Sequence, residues 1–169
     1  MSFIKPLAIL MLSIWTFNAQ ASADGEPAHQ LKPMPELANI SSDHFPGDPA
    51  EHKAVYMWNK SDPDYQHHIL NSIQAMIRLY GSNVEIAVVA IGPGIHALAK
   101  KPQRKVEKLT YQRIASFAKD YGVRWIACGN TMRTLNWTDA DMRPFAEYSE
   151  VGAAALVALQ ENGYKLLVW

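Results

Sequence analysis

The chain has 169 residues, with 16 Lys and Arg against 16 Asp and Glu, and so no formal net charge; 49% of its residues are apolar. That balance gives no electrostatic case for nucleic acid or anionic lipid as a partner. The length suits one domain of ordinary size with a real core once an N-terminal segment is set aside.

Residues 1–23 read as an export signal. Lys5 supplies a positive n-region, residues 7–17 form an apolar stretch too short to span a bilayer, and Ala19-Gln20-Ala21 or Ala21-Ser22-Ala23 offers a small-residue cleavage site. The expected product begins between Ser22 and Asp24, is periplasmic or secreted, and keeps no stable membrane insertion. Residues 24–52 carry Pro27, Pro33, Pro35, Pro46 and Pro49 without helical or strand periodicity, and read as an extended, proline-rich leader.

From residue 53 to 169 strand and helix patterns alternate. Residues 53–59 make a short apolar run and a first strand. Asp64 opens a helix with Ile69, Leu70, Ile73, Met76, Ile77 and Tyr80 at helical spacing, closed by Gly81. Residues 84–91 form a near-continuous β-branched run, the pattern of a strand buried on both faces, which stops at the tight turn Gly92-Pro93-Gly94. Residues 95–108 are ambiguous, since Pro102 and a basic run interrupt any helix. Residues 111–121 give a helix with Ile114, Ala115, Ala118 and Tyr121 on one face and Gly122 as its stop. Residues 123–128 make a third strand, and Thr138 to Asp141 reads as a capping box that starts a turn limited by Pro144. A last helix over 151–162 is apolar at Val151, Ala154, Ala155, Ala158 and Leu159, and residues 165–169 form the last strand. Such alternation predicts an α/β fold, an open and mainly parallel sheet flanked by helices with right-handed crossovers.

Ligands and reactive groups in such sheets collect outside the carboxyl ends of the strands. Three turns fall on that edge, around Asn59, Gly92-Pro93-Gly94 and Cys128-Gly129-Asn130-Thr131. Cys128 is the single cysteine, so it has no intramolecular disulfide partner in an oxidising compartment. It is either packing or a working group. One helical turn after it would favour the thiolate through unpaired backbone N–H groups, with Arg133 and Lys60 as candidate cationic neighbours. His67 and His68 are adjacent rather than four apart and cannot share a helical face as metal ligands; no metal and no cofactor is expected.

Across residues 54–169, the order of elements, Ala90-Ile91-Gly92-Pro93-Gly94-Ile95, Tyr121-Gly122-Val123, Ala127-Cys128-Gly129-Asn130-Thr131-Met132 and Asn162-Gly163-Tyr164 resemble the DsrE/DsrF-like family of small sulfur-relay proteins, in its exported single-domain form. The resemblance implies a flavodoxin-like open sheet, assembly into a homo-trimer or homo-hexamer, and a persulfide carried on the cysteine that follows the third strand, the position of Cys128. Under that reading sulfur passes from a donor to an acceptor thiol through Cys128, Gly129 and Asn130 shape an anion pocket, Thr131 hydrogen-bonds the terminal sulfur, and Asn59, Gly92 and Gly94 border the site. The alternative is a non-catalytic oligomeric module that binds a small ligand or a partner and uses Cys128 only for packing.

Overall fold

The computed structural model describes residues 34–42, 45 and 47–169; the expected export signal and residues 24–33, 43, 44 and 46 of the leader lie outside the described residues. Five strands form one sheet: β1 (His52–Trp58), β2 (Val84–Ala90), β3 (Arg124–Cys128), β4 (Ala146–Ser149) and β5 (Lys165–Leu167). Their order across the sheet is β4-β3-β2-β1-β5, and every pairing is parallel. The helices are α1 (Pro63–Tyr80), α2 (Lys108–Tyr121), α3 (Gly129–Thr134) and α4 (Gly152–Glu161).

The chain steps in one direction from β1 to β4 and then returns past β1 to lay down β5. Right-handed crossovers therefore put α1 and α2 on one face and α4 on the other. Alternation along the strands builds a core on each face. Ala54, Tyr56, Trp58, Ile86, Val88, Trp125 and Ala127 meet Ile69, Leu70, Ile73, Ile114 and Phe117 on the first. Val55, Ala87, Val89 and Ile126 meet Leu156, Leu159 and Tyr164 on the second, smaller one.

Local sequence sets the element ends. The Asp62 carboxylate accepts the Tyr65 N–H at 3.0 Å and caps α1, whose first residue is Pro63. Gly122, in the left-handed region with φ 66°, ends α2. In the part of the leader that is described, Asn83 ties the chain down: its side-chain oxygen accepts the Glu51 N–H at 2.9 Å and its amide donates to the Ser41 carbonyl at 3.2 Å.

Several expectations need correction. Residues 92–98 are a 3-10 helix (Gly92–Leu98) rather than a tight turn followed by an unassigned stretch. α2 begins three residues before the expected start, and Phe117, not Tyr121, completes its buried face; Tyr121 is 56% exposed. The face of α4 is Gly152, Leu156 and Leu159, while Val151, Ala154 and Ala158 are exposed. An all-apolar segment carries no periodic contrast by which a face can be chosen. β4 was not expected at all: it is a four-residue edge strand with no fully buried residue, so its composition carries little strand signal.

Candidate functional site

β3 ends on Cys128, which is also the N-cap of α3. By strand alternation its side chain shares the face of Ile126, where α4 begins. There the Gly152 N–H donates to Cys128 Sγ at 3.2 Å. A methyl group on Gly152 would lie 2.9 Å from Cys128 Cβ and 2.8 Å from Ile91 Cγ1, so only glycine permits this approach. Sequence reading did not single out Gly152. Its one available signal was a glycine opening a helix, a position at which glycine is only modestly favoured.

The Thr131 hydroxyl and the Thr131 and Asn130 N–H groups lie near enough to the same sulfur to favour its anion, although the Asn130 N–H itself donates to the Glu150 carbonyl at 3.0 Å. The hydroxyl is oriented from behind, because it accepts the Gly92 N–H at 3.0 Å. With that N–H on its oxygen, the Thr131 hydroxyl keeps its proton free for a second acceptor such as the sulfur. Burial is the largest single influence on the Cys128 thiol and pushes its pKa up, but these donors together outweigh it and hold the thiol below its ordinary value. The thiol is 3% exposed, a buried group equipped to be an anion.

The outer rim of the site is charged. Arg133 donates to the Glu150 carboxylate and to the Asn130 side-chain oxygen, and the Tyr148 hydroxyl donates to the same carboxylate. The hydrogen bonds from Tyr148 and then Arg133 hold the Glu150 carboxyl below the usual carboxylate range. Arg133, expected as a cationic neighbour of the sulfur, is thus engaged by Glu150, and the Lys60 ammonium sits 5.0 Å over the Tyr65 ring. Neither contributes to the hydrogen bonds around Cys128.

Of the residues singled out in the sequence, Thr131, Asn130 and Gly92 converge on Cys128 as described. Gly129 lies under Tyr148, whose ring carbons would be 2.7 Å from an added methyl group. Gly94 lies against the end of β1, where a methyl group would sit 2.6 Å from the Trp58 carbonyl carbon. The Asn59 side-chain oxygen accepts the Tyr65 hydroxyl at 3.0 Å, away from the sulfur. His67 pairs with Glu107 at 3.2 Å. Among the described residues, no group of three or more His, Cys, Asp or Glu side chains is placed to hold a metal ion, and no helix is long and apolar enough to cross a membrane. A cavity of about 330 Å³ adjoins the site, walled by Gly92, His96, Arg104, Asn130, Thr131 and Thr134 among others.

An all-parallel five-stranded sheet flanked by helices, with the single cysteine at a strand end, defines a small open-sheet α/β domain. The profile of the DsrE/DsrF-like family matches residues 52–169, and the chain belongs to that family. Among solved structures it is similar to the protein of unknown function MTH1491 from Methanobacterium thermoautotrophicum, with a TM-score of 0.62 and 19% identity over 70% of this chain and 100% of that one. At that identity the likeness is one of fold. No curated protein matches the chain.

Proposed function

We propose that the protein is an exported carrier of sulfane sulfur that holds a persulfide on Cys128. The observation that carries this reading is the polar surround of one buried sulfur: the Gly152 N–H donates to it at 3.2 Å, and the Thr131 hydroxyl and the first-turn N–H groups of α3 lie near enough to favour the anion. Packing alone needs none of them, since a buried thiol is content among apolar side chains. A thiolate needs all of them, as does the persulfide anion that replaces it. The Cys128 thiolate attacks the sulfane sulfur of the donor, a new S–S bond forms at Cys128, and the donor's leaving group departs with the electron pair of the bond that breaks. An acceptor thiolate then attacks the outer sulfur and Cys128 leaves as thiolate, so no external oxidant or reductant is consumed.

Intact mass after treatment with a sulfane-sulfur donor tests this. We expect an increase of about 32 Da, one sulfur atom, that reductant reverses and Cys128→Ser abolishes. A native protein that gains no mass, and whose thiol alkylates only after denaturation, would instead support the non-catalytic module.

We also propose that the protein assembles as a homo-trimer or homo-hexamer. α4 is apolar around its whole circumference, the mark of a helix buried on all sides, yet Ala153, Ala154 and Val157 are exposed, Val157 at 54%. β5 is an edge strand beside exposed Leu166, Val168 and Trp169. A second copy of the chain covers such a surface in a closed assembly. Light scattering should return a multiple of the monomer mass, and Val157→Glu should reduce it to the monomer. A wild-type monomer at micromolar concentration refutes the assembly.

A further inference from the structure

The cavity between the Gly92–Leu98 segment and α3 has apolar wall from Pro93 and Leu135, polar groups from His96, Arg104, Asn130, Thr131 and Thr134, and no acidic side chain. Arg104 reaches it with a guanidinium that has no carboxylate partner among the described residues and makes only a 3.5 Å contact with the Ser61 hydroxyl. His96 lines it while only 3% exposed. His96 Nδ1 accepts the Gln103 N–H at 3.3 Å, so the proton of the neutral ring is on Nε2, and that N–H has no partner among the described residues. Burial and then the charge of Arg104 lower the His96 pKa and keep the ring neutral. The Asn130 side-chain oxygen is taken by Arg133, which leaves its amide N–H₂ as the free end. Lys100, Lys101 and Lys105 flank this wall in the sequence and add a positive field. An imidazole N–H that opens on the cavity without a protein partner, beside an unpaired guanidinium, is a site arranged for negative charge.

We propose that this cavity is an anion subsite that receives the oxyanion group of a small sulfane-sulfur donor, a sulfonate or a carboxylate. The identity of the ligand as a sulfur donor rests on the reading of Cys128 given above; the binding of an anion does not. Asn130 and Thr131 link the two places, because both line the cavity and both stand in the first turn of α3, whose N-cap is Cys128. A donor anchored by its anion presents its sulfane sulfur across that shared wall. With thiosulfate, the Cys128 thiolate bonds to the outer sulfur, the S–S bond of the donor breaks, and sulfite leaves with the electron pair. With a small hydropersulfide that bears a carboxylate, the same attack on the terminal sulfur releases the parent thiolate. In both cases the leaving group is the part that Arg104 and His96 hold.

The test uses the full chain carrying Cys128→Ser, which binds without reacting. It is titrated with thiosulfate for the sulfonate source and N-acetylcysteine for the carboxylate source, following the NMR signals of the His96 imidazole and of Trp137, whose ring lies 5.0 Å from it. We expect at least one ligand to saturate and to move both signals, and Arg104→Gln in the same background to weaken it on the order of tenfold. The ligand that saturates identifies the source. Saturation by neither, or an affinity that Arg104→Gln leaves unchanged, overturns the proposal. A parallel arm loads the native protein with dimethyl trisulfide, an uncharged donor: the Cys128 thiolate bonds to its central sulfur, methanethiolate leaves with the electron pair, and uptake is read as a methyl trisulfide on Cys128. Uptake by Cys128 without anion saturation refutes the subsite and leaves the sulfur reading standing; anion saturation without uptake from any donor supports the subsite and refutes the sulfur reading.

Discussion

Gly94→Ala should be the most destabilising single-methyl change at the strand-end edge, by about 3 kcal/mol or more. The added carbon would sit 2.6 Å from both the Trp58 carbonyl carbon and Trp58 Cδ1. Trp58 is fully buried and edge-on to Trp125 at 5.7 Å, and its carbonyl accepts the Ile91 N–H at 3.0 Å. Neither the backbone nor the indole has room to yield. Gly92, two residues earlier, supplies the control. A methyl group there meets nothing within 4 Å, but φ is +53°, so Gly92→Ala should cost only the left-handed penalty of about 1–2 kcal/mol. Urea unfolding of the two variants measures the difference. Equal losses, or a loss under about 1 kcal/mol for Gly94→Ala, would show that the 92–98 segment lifts freely from β1 and that Trp58 does not fix it.

Those two glycines also mark where sequence reading reaches its limit. Gly92-Pro93-Gly94 is visible as a break after a strand, because glycine and proline act through their own dihedral angles. That one glycine is required by its φ and the other by a carbonyl in a different strand is a fact of packing, and spacing does not carry it. The same division runs through the rest of the molecule. α1 and α2 were legible because each buries one face and so writes a period into the chain, and β1, β2 and β3 because a strand buried on both faces is a short apolar run. β4 buries nothing fully and left no period, and α4, apolar all round, gave the helix but not its face. At the site, Cys128 and Thr131 stood out as a strand-end turn. Gly152 did not, since its contribution is an N–H brought 3.2 Å from the sulfur by a helix that starts 24 residues later. Hydrogen bonds made by backbone atoms leave no residue-type signature, and the one that Gly152 donates to Cys128 is of that kind.

Thr131→Val should raise the thiol pKa of Cys128 and shift the whole pH profile of alkylation upward. Valine keeps the shape of threonine but loses the hydroxyl that takes the Gly92 N–H at 3.0 Å and donates to the sulfur. A hydrogen bond to a charged group is worth about 1.5–3 kcal/mol, so the midpoint should rise by about one pH unit or more. At pH values below both midpoints the thiolate fraction then falls about tenfold. The more basic thiolate is also more nucleophilic, by about threefold per unit, so the observed rate falls only about threefold. The midpoint is therefore the cleaner readout, and iodoacetamide rates from pH 5 to 10 supply it. Stability should follow with a definite sign. Because the folded thiol titrates below the unfolded one, its ionisation stabilises the fold fully above the unfolded pKa of about 8.5, and that contribution is lost as pH falls through the folded value. In Thr131→Val the window between the two values narrows, and the rise of stability with pH across it should shrink accordingly. An alkylation midpoint that stays in place, or moves down, would mean that the Thr131 hydroxyl does not face the sulfur as a donor, and the link from the β2 turn to Cys128 would fail with it.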